Sequence, residues 1–387
     1  MKIVFIGLTC FYTPGLTYQD NYLCMQTLAD GHAVTYLSNP EKFVNGEIVE
    51  TGAEDTVLPD GLHLIRLPYV KLGPDIVTKK IRAFRGVYDI LQQEKPDLIF
   101  CHNLQYWSVL DVIRYKKAHP AVKLYADTHA AYNNSGTNWL SLHVLHRIFY
   151  CYLTQKALPY LEQYFYISDE CRQFSHEVYG IPNEKMEFYP LGGTLLADEE
   201  YAAVRAKRRA ELGLSGTDRL YIHSGKLDAL KRSDELLRAF SAVDDPHAVL
   251  AVIGSIPEDR KSILLPLMEA DKRIRYLGWR TGEELQEYLC AADLYCQPGS
   301  QSATMQNALC RYCPVMLYPH PAHTADYDRG EVIWIKTQAD MEMVFRSLAA
   351  DPAQLKPLRE NAEKLARELL DYRRLAARLY CRNENFR

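Results

Sequence analysis

Short runs of apolar residues alternate with stretches of helical spacing from the first residue of the 387-residue chain. Seven apolar runs predict strands in the first half, at 2–6, 34–37, 63–67, 98–101, 123–126, 164–167 and 187–189. Six more predict strands in the second half, at 219–223, 249–253, 274–277, 294–297, 315–318 and 332–335. Strands that alternate with helices in this way predict an α/β fold with parallel sheets.

A change of composition separates the two series of strands. Residues 201–219 are charged and rich in alanine, as in a linker helix. We therefore predict two Rossmann-like, doubly wound domains, at 1–200 and 201–365, that face each other across a cleft. Ligands of such sheets bind at the carboxyl ends of the strands. Residues 355–380 carry apolar side chains near helical spacing and predict one long amphipathic helix.

The stretch 297–315, QPGSQSATMQNALCRYCPV, predicts a strand end, a turn and then a helix from about residue 303 to residue 311. At the start of such a helix, Ser302 or Thr304 is suited to capping the free amides, and these amides together with the helix dipole can hold a phosphate. The alternative is an ordinary turn of an α/β protein, since serine-rich helix starts are common.

A second candidate for phosphate binding follows the first strand of the second series. The sequence YIHSGKLDALKRSDELLRAF places Gly225 at a strand end, with Lys226 and Lys231 after it and a helix from about residue 233. Two cations at the carboxyl end of a strand can neutralise a diphosphate. Taken alone, the stretch favours a solvated pair of lysines on a loop.

Polar residues also follow three strands of the first half. Residues 8–21, LTCFYTPGLTYQDN, predict a loop stiffened by Pro14 and Gly15, and the dinucleotide fingerprint Gly-x-Gly-x-x-Gly is absent from it. The polar residues after the fourth and fifth strands are His102, Asn103, Asp127, His129 and, in an Asn-rich loop, Asn133. We expect these groups in the cleft. A surface loop and structural histidines are the alternative.

Composition narrows the range of partners and compartments. The 45 basic and 49 acidic residues give a formal charge of −4, which implies no nucleic-acid partner. The cysteines are scattered and residues 1–4 read as a strand rather than a signal peptide, so a reducing cytoplasm is expected. Cys310 and Cys313 form a C-x-x-C without a second pair, which argues against zinc. No apolar run reaches the length of a membrane span.

Four groups of residues, in their order and spacing, resemble the retaining glycosyltransferases of family 4, which have the two-domain GT-B fold. They are Gly31-His32-Ala33-Val34-Thr35, Gly225-Lys226-Leu227 with Lys231, 274–278 with Glu284-Leu285 and Ala292-Asp293, and Asn307-Ala308-Leu309 with Pro314-Val315. The resemblance covers nearly the whole chain. It implies that residues 366–387 form a helix that crosses back to the first domain.

The resemblance implies a donor site in the second domain, in which the two lysines hold the diphosphate and nearby amides cradle it. The donor-side residues are Gly225, Lys226, Lys231, Trp279, Gln301, Ser302, Ala303, Thr304 and Asn307. Asn307 stands where the family has the second glutamate of its E-x7-E motif, which grips the donor ribose, and the first glutamate would fall at Gly299. A neutral asparagine binds a ribose hydroxyl more weakly than a carboxylate does. Tyr312 replaces the usual glycine before Pro314.

The resemblance also implies roles for residues of the first domain. His129 matches a strand-end histidine that lies against the donor sugar, and with Lys226 and Lys231 it is expected to be catalytic. The stretch 18–21 looks like the Y-Q-E-N variant of the first loop found in some polysaccharide-assembly members. The expected acceptor-side residues are Gly15, Tyr18, Gln19, Asp20, Asn21, His102, Asn103, Asp127 and Asn133.

We therefore expect a cytoplasmic hexosyltransferase-like enzyme that moves a sugar from a UDP- or GDP-linked donor to a cell-surface glycan or a lipid-linked glycan precursor. We expect the reaction to retain the configuration of the anomeric carbon. We also expect it to require neither a metal nor a cofactor. Asp326-Tyr327-Asp328 is formally D-x-D but reads as a surface loop. The alternatives are a non-catalytic GT-B-like binding or partner protein, motivated by Gly299 and Asn307, and a nucleotide-sugar epimerase.

Two basic segments, 79–85 and 114–117, mix cations with apolar residues. If each presents them on one face, they predict peripheral contact with anionic lipid at the inner face of the cell membrane. The alternative is a pair of solvated helix faces.

Overall fold

The computed structural model describes residues 1–16, 18–44, 47–300, 304–320 and 327–381. The chain divides into two compact units. The first comprises Met1–Pro190 together with the C-terminal segment Tyr372–Arg387, and the second comprises Leu191–Asp371. The chain thus passes between units after Pro190 and after Asp371. The sequence prediction had placed these boundaries after residues 200 and 365.

Parallel strands form the centre of the first unit. Its described strands are β1 (Lys2–Gly7), β2 (Ala33–Ser38), β3 (Glu41–Val44), β4 (Glu47–Glu50), β5 (Glu54–Val57), β6 (His63–Arg66), β7 (Leu98–His102), β8 (Lys123–Asp127), β9 (Gln163–Tyr166) and β10 (Met186–Phe188). They form a sheet in the order β10-β9-β8-β7-β1-β2-β6-β5, in which the edge strand β5 is antiparallel to β6. β3 and β4 form a separate hairpin.

Helices cover both faces of this sheet. They are α1 (Gln19–Ala29), α2 (Asp75–Ile81), α3 (Val87–Glu94), α4 (Val109–Ala118), α5 (Cys151–Ala157), α6 (Asp169–Tyr179) and, from the C-terminal segment, α14 (Tyr372–Tyr380). A π-helical segment, Ser141–Tyr150, runs directly into α5. The Ser168 side chain caps the start of α6, and Gly180 ends it in the left-handed conformation that a side chain disfavours.

Alternation along β1 divides the core of the first unit into two layers. Val4 and Ile6 pack with residues of α3, α4, α5 and α6, whereas Ile3 and Phe5 pack on the opposite face with residues of α1 and α14. Successive side chains of a strand point to opposite faces, so a strand buried on both faces reads as a continuous apolar run. Tyr189 fixes α14 by donating a hydrogen bond from its hydroxyl to the Leu375 carbonyl, at 2.7 Å.

The second unit repeats the α/β arrangement. Its described strands are β11 (Arg219–Lys226), β12 (Ala248–Ser255), β13 (Ile274–Gly278), β14 (Leu294–Gln297), β15 (Val315–Leu317) and β16 (Val332–Trp334), all parallel, in the order β13-β12-β11-β14-β15-β16. Its described helices are α7 (Asp198–Glu211), α8 (Ser233–Ser241), α9 (Glu258–Ala270), α10 (Gly282–Ala291), α11 (Thr304–Leu309), α12 (Gln338–Ala350) and α13 (Leu355–Leu365).

Arginines on α7 tie this helix to the end of α10. Arg205 donates to the carbonyl oxygens of Cys290 and Ala291, at 2.9 and 2.8 Å, and pairs with Asp293 at 2.5 Å. Arg209 also reaches Asp293, at 3.0 Å. Cationic side chains at a helix C-terminus donate hydrogen bonds to its free carbonyl groups and interact favourably with the helix dipole. Asp293, part of the Ala-Asp pair in the resemblance, therefore has a structural role here.

The predicted α/β class, with two sheets of parallel strands, is confirmed, and each of the thirteen predicted strands overlaps an observed one. The short strands β3, β4 and β5 were not predicted. The single helix expected over 355–380 is wrong, because the chain is extended at Asp371, between a π-helical turn at Ala366–Leu370 and α14. Asp371 forms an isolated parallel bridge with Gly193, which interrupts the helix at that residue.

Candidate active site

In the first unit, polar residues meet at the carboxyl ends of four neighbouring strands, β8, β7, β1 and β2. β7 ends at His102 and β8 ends at Asp127, and the two residues are partners in the strand register. The side chains of His102 and Asp127 are almost fully buried, whereas a third of the His129 side chain is exposed. These strand-end residues therefore lie together within the first unit.

Asp127 lies at the centre of the cluster. Its Oδ2 atom is 3.1 Å from His102 Nδ1 and 3.2 Å from His129 Nε2, and its Oδ1 atom accepts a hydrogen bond from the Asn103 amide at 3.1 Å. Burial alone would raise the pKa of Asp127, but the two histidines hold it well below its usual value. The carboxylate is therefore charged at neutral pH and orients both imidazole rings.

A second carboxylate lies on the other side of His102. Asp20, in the first turn of α1, places its Oδ1 atom 3.1 Å from His102 Nε2, close enough for an ion pair although poorly directed for a hydrogen bond. Burial lowers the pKa of His102, but Asp20 and Asp127 outweigh it and raise the pKa above 6.5. An imidazole between two carboxylates is stabilised as the imidazolium ion.

Tyr36 and Cys10 complete the cluster and were not predicted from the sequence. The Tyr36 hydroxyl and the Cys10 thiol both donate to Asp20 Oδ2, at 2.5 and 3.1 Å. Gly7 makes this possible, because a Cβ atom there would lie 1.8 Å from the Tyr36 hydroxyl oxygen. Tyr36 lies inside an apolar strand, where a sequence pattern indicates core packing and gives no sign of a polar contact.

Asn103 holds the backbone that carries His129. Its φ angle of 63° is in the left-handed region, which asparagine tolerates better than most residues. Its side-chain oxygen accepts from the His129 amide at 2.9 Å, and its nitrogen donates to Thr9 Oγ1 at 3.1 Å. Because Nε2 of His129 faces the charged Asp127, we assign the proton to Nε2, which leaves Nδ1 of a neutral ring as an acceptor.

The other predicted acceptor-side residues have different environments. Gln19 is buried, and neither atom of its amide has a hydrogen-bond partner among the described residues. Asn21 instead donates to the Thr13 carbonyl at 3.0 Å and so stabilises the first loop. Tyr18 is half exposed and Gly15 occupies a turn with a positive φ angle. Asn133 bonds to Glu170 of α6, at 3.0 Å, and is not part of the strand-end network.

His102, Asp127 and His129 also bring three ligand-type atoms within 4.8 Å of one another. Two imidazole nitrogens and a carboxylate oxygen form a donor set that Zn²⁺ accepts. In the structure both nitrogens face the same Oδ2 atom of Asp127, so a metal ion would have to replace these two contacts. The arrangement fits a chain of hydrogen bonds and ion pairs that ends at the partly exposed ring of His129.

The protonation of His102 leads to a prediction about stability. Its folded-state pKa is raised, so its contribution is complete below the unfolded value of 6.5 and is lost as the pH rises through the folded value. The contribution of Asp127, whose pKa is lowered, is present above 3.8 and is lost only in acid. We expect the difference in unfolding free energy between wild type and His102→Gln, measured by urea denaturation, to shrink from pH 6 to pH 9. A difference independent of pH would contradict this assignment.

In the second unit, the turn after β11 packs against the loop after β14. Lys231, in a 3₁₀ turn at Ala229–Lys231, is buried and donates from Nζ to the Ser300 carbonyl at 3.1 Å. Burial lowers the pKa of Lys231, an effect that Asp228 opposes. The Ser300 amide in turn donates to the Leu230 carbonyl at 2.8 Å. The two stretches proposed for phosphate binding are therefore in direct contact.

Gly299 belongs to this contact. A Cβ atom there would lie 2.0 Å from the Leu230 carbonyl oxygen and 2.7 Å from the Lys231 carbonyl carbon. A glutamate at position 299 would therefore require the backbone to move. Arg232, which was not predicted, supports the same loop by donating to the Pro298 carbonyl at 3.1 Å and to the Lys336 carbonyl at 3.0 Å.

Other predicted donor-side residues are more exposed or lie outside the described residues. Lys226 is exposed at the end of β11, after Gly225 with its positive φ of 129°. Trp279, after β13, is largely exposed, and Asn307 is half buried on α11. α11 begins at Thr304 and ends at Leu309, two residues earlier than expected. Gln301, Ser302 and Ala303 lie outside the described residues, as does Asp326.

Comparison with known proteins agrees with this architecture. Residues 204–365 match the family model described as Glycosyl transferases group 1. No curated protein sequence matches the chain. Solved structures with the same fold include sucrose-phosphate synthase (tll1590) from Thermosynechococcus elongatus, at 15% identity and a TM-score of 0.66, covering 99% of this chain and 98% of that one. Alr3699/HepE from Anabaena, solved with UDP and glucose, has 13% identity and a TM-score of 0.63 over 99% of both chains.

A third similar structure is WaaG, a glycosyltransferase involved in lipopolysaccharide biosynthesis, at 16% identity and a TM-score of 0.59, covering 98% of this chain and 99% of that one. The chain thus has the α/β architecture of GT-B glycosyltransferases, and its second unit contains a group 1 glycosyl transferase domain. Together these findings support the GT-B fold for the chain and similarity to group 1 glycosyl transferases over residues 204–365.

Proposed function

We propose that this protein moves a sugar from a UDP- or GDP-linked donor to a cell-surface glycan or a lipid-linked glycan precursor. The observation that carries the proposal is the group 1 glycosyl transferase domain at 204–365, which includes the contact between the Lys231 turn and the loop after β14. HepE has the same fold and was solved with UDP and glucose, which supports UDP-glucose as the first donor to test.

The proposed donor chemistry needs positive charge at the departing diphosphate. Lys226 is exposed at a strand end and is suited to pair with a phosphate directly. Lys231 is buried, and by bonding to the Ser300 carbonyl it holds the loop after β14 in one conformation. Fixed cations stabilise developing negative charge without reorganisation during the reaction. On this basis the proposed transfer requires no metal ion.

The proposed reaction retains the configuration at the anomeric carbon. The bond from that carbon to the phosphate oxygen breaks while the acceptor oxygen bonds to the same face. The acceptor proton passes to the oxygen of the leaving diphosphate. Within the first unit, the partly exposed ring of His129 presents Nδ1 as an acceptor suited to a hydroxyl group of a sugar.

The donor assignment predicts nucleotide-dependent stabilisation. One of UDP, GDP, ADP and CMP, at a concentration 100-fold above its Kd, should stabilise the wild type by about 2.7 kcal/mol. Lys226→Ala with Lys231→Ala should abolish that stabilisation and sugar transfer, because the diphosphate loses the exposed Lys226 cation and the loop after β14 loses the bond from Lys231 to the Ser300 carbonyl. A thermal-shift titration and a transfer assay measure the two effects.

A control double variant shows whether the effect comes from these two positions or from the loss of any two positive charges in the unit. Lys272 and Lys364 are exposed lysines of the same unit, and Lys272→Ala with Lys364→Ala should keep both nucleotide binding and transfer. Unchanged transfer in the Lys226/Lys231 variant would refute the assignment. Absence of stabilisation by any of the four nucleotides in the wild type would instead favour a non-catalytic binding or partner protein. The close packing at Gly299, which leaves no room for a carboxylate side chain, is the observation that favours that second candidate.

A further inference from the structure

A stripe of exposed apolar side chains runs along one helical segment of the first unit. Leu140, Val144, Ile148 and Tyr152 are spaced four residues apart and are 64, 42, 65 and 50% exposed. Trp139 precedes them and is 70% exposed. Residues four apart lie close together along one side of a helix, and all four side chains are exposed, so they form one continuous surface. We call it the 140–152 stripe.

The opposite side of the same segment is anchored in the core, which fixes the direction of the stripe. His146 and Tyr150 are buried, as is Leu153. His146 Nδ1 lies 2.7 Å from the Tyr179 hydroxyl of α6, and the Tyr150 hydroxyl donates to the Lys80 carbonyl of α2 at 2.6 Å. The stripe is therefore a fixed feature of the surface.

The surroundings of the stripe carry positive charge. No Asp or Glu occurs at 128–161, a range that includes Arg147 and Lys156. Arg147 lies near Glu177 of α6 and is partly neutralised by it. Lys79 pairs with Glu41 at 2.7 Å and is partly neutralised. The surface therefore combines apolar side chains with a local excess of cations, although the whole chain has a formal charge of −4.

A cavity of about 740 Å³ lies beside the stripe, between α3, α4 and α5. Three cations line it, Arg114, Lys117 and Lys156, and no carboxylate does. Arg114 and Lys117 lie over the rings of Tyr88 and Tyr160, at 4.0 and 5.2 Å from the ring centroids. Lys156 lies 5.5 Å from the ring centroid of Tyr152, the last residue of the stripe. The cavity and the stripe are thus adjacent parts of one surface.

We propose that this surface binds an anionic phospholipid bilayer, with the 140–152 stripe in the interfacial region and a lipid phosphate in the cavity lined by Arg114, Lys117 and Lys156. An apolar helix face flanked by cations lies in the plane of the interface, and tryptophan and tyrosine favour that depth. None of the described helices is long and apolar enough to cross a membrane, which is consistent with interfacial contact.

The charge of this surface favours a membrane over a second copy of the chain. A two-fold symmetric contact places the same patch of each copy against its equivalent. The three cations that line the cavity would then approach their equivalents, and no carboxylate lines the cavity to offset them. An anionic bilayer supplies the missing negative charge and apolar volume together.

The sequence prediction located this surface only in part. From the predicted segment 114–117, Arg114 and Lys117 line the cavity. Lys116 does not, because its Nζ atom is turned inward and donates to the Val122 carbonyl at 2.6 Å. The 140–152 stripe was not predicted, because its apolar residues are interrupted along the chain by His143, His146 and Arg147. Binding to vesicles is independent of sugar transfer, so it tests the surface separately from the proposed function.

Flotation of the full chain with vesicles of 40% phosphatidylglycerol in phosphatidylcholine, and with pure phosphatidylcholine, tests the proposal. We expect binding to the anionic vesicles alone, weakening with added salt. Each Lys or Arg near an anionic surface strengthens binding roughly fivefold, so Arg114→Gln, Lys117→Gln and Lys156→Gln together should weaken it about a hundredfold. Leu140→Ser with Ile148→Ser should weaken it by at least tenfold, because burial of apolar area is lost.

Matched variants at exposed positions elsewhere serve as controls. Lys185→Gln, Lys272→Gln and Lys364→Gln remove the same charge, and Met343→Ser removes an apolar side chain that is 62% exposed. These should bind as the wild type does, and circular dichroism checks that each variant is folded. Failure of the wild type to float, or equal losses in the control variants, would overturn the proposal.

Two further measurements distinguish other occupants. If soluble glycerol 3-phosphate stabilises the protein through the three cavity cations while vesicles do not bind, the ligand is a free phosphate and the membrane proposal is wrong. If light scattering shows a dimer that Leu140→Ser with Ile148→Ser dissociates, and the wild type does not float, the surface is a contact between copies.

Discussion

Asp127→Asn is expected to lower the free energy of unfolding by about 3–5 kcal/mol at pH 7, because it removes one charge from a buried array and leaves the buried His102 with one carboxylate partner in place of two. His102 would keep Asp20 as its only carboxylate partner, and His129 would lose the charged acceptor that orients its ring. Under the proposed function, transfer should also fall by roughly 10- to 100-fold, as when a supporting carboxylate is removed from other sites. Urea denaturation and a transfer assay provide the two measurements.

The same substitution at the surface provides a matched control. Asp55 pairs with His63 at 2.7 Å, but the Asp55 side chain is 72% exposed. Asp55→Asn should cost no more than about 1 kcal/mol, because exposed ion pairs are screened by solvent. If Asp127→Asn cost no more than Asp55→Asn, the buried array would not be a stabilising element of the strand ends.

Gly254→Ala is expected to destabilise the second unit strongly. Gly254 has a φ angle of 139°, and an added Cβ atom would lie 1.9 Å from the Gly225 carbonyl oxygen on the neighbouring strand. Backbone strain and overpacking together should cost about 2–6 kcal/mol. Because Gly225 precedes Lys226, nucleotide stabilisation should also decrease. Urea denaturation and the thermal-shift titration would show both effects.

Gly216→Ala is the corresponding control, since an added Cβ atom there would have no neighbour within 4 Å. Its effect should stay within about 0.5 kcal/mol, as for most surface substitutions. Equal effects of the two substitutions would show that the close approach of β11 and β12 is not tightly constrained.

The fold could be predicted from sequence largely because its central strands are buried on both faces. Such strands form continuous apolar runs, and the helices between them carry the longer period. β3, β4 and β5 lack this signal because they lie at or beyond the sheet edge and mix exposed with partly buried residues. The break at Asp371 was also hidden, because it depends on pairing with Gly193, far away in the sequence.

The strand-end residues of the candidate site were identifiable for a similar reason. Parallel strands bring their carboxyl ends to one edge, so polar residues directly after apolar runs, such as His102 and Asp127, could be expected to meet. Tyr36 was not identifiable, because its hydroxyl reaches Asp20 only where Gly7 leaves space. Such a contact depends on the three-dimensional register of β1 and β2 rather than on spacing along one segment.

The return of the C-terminal segment to the first unit has a consequence for the order of folding during synthesis. The face of β1 that contains Ile3 and Phe5 packs against α14, which is made only after the second unit is complete in sequence. During translation of the second unit, part of the apolar core of the first unit therefore stays exposed, because α14 has not yet been made. The last described helix, α14, completes the core of the first unit. A premature stop near residue 371 would therefore leave one face of that core uncovered.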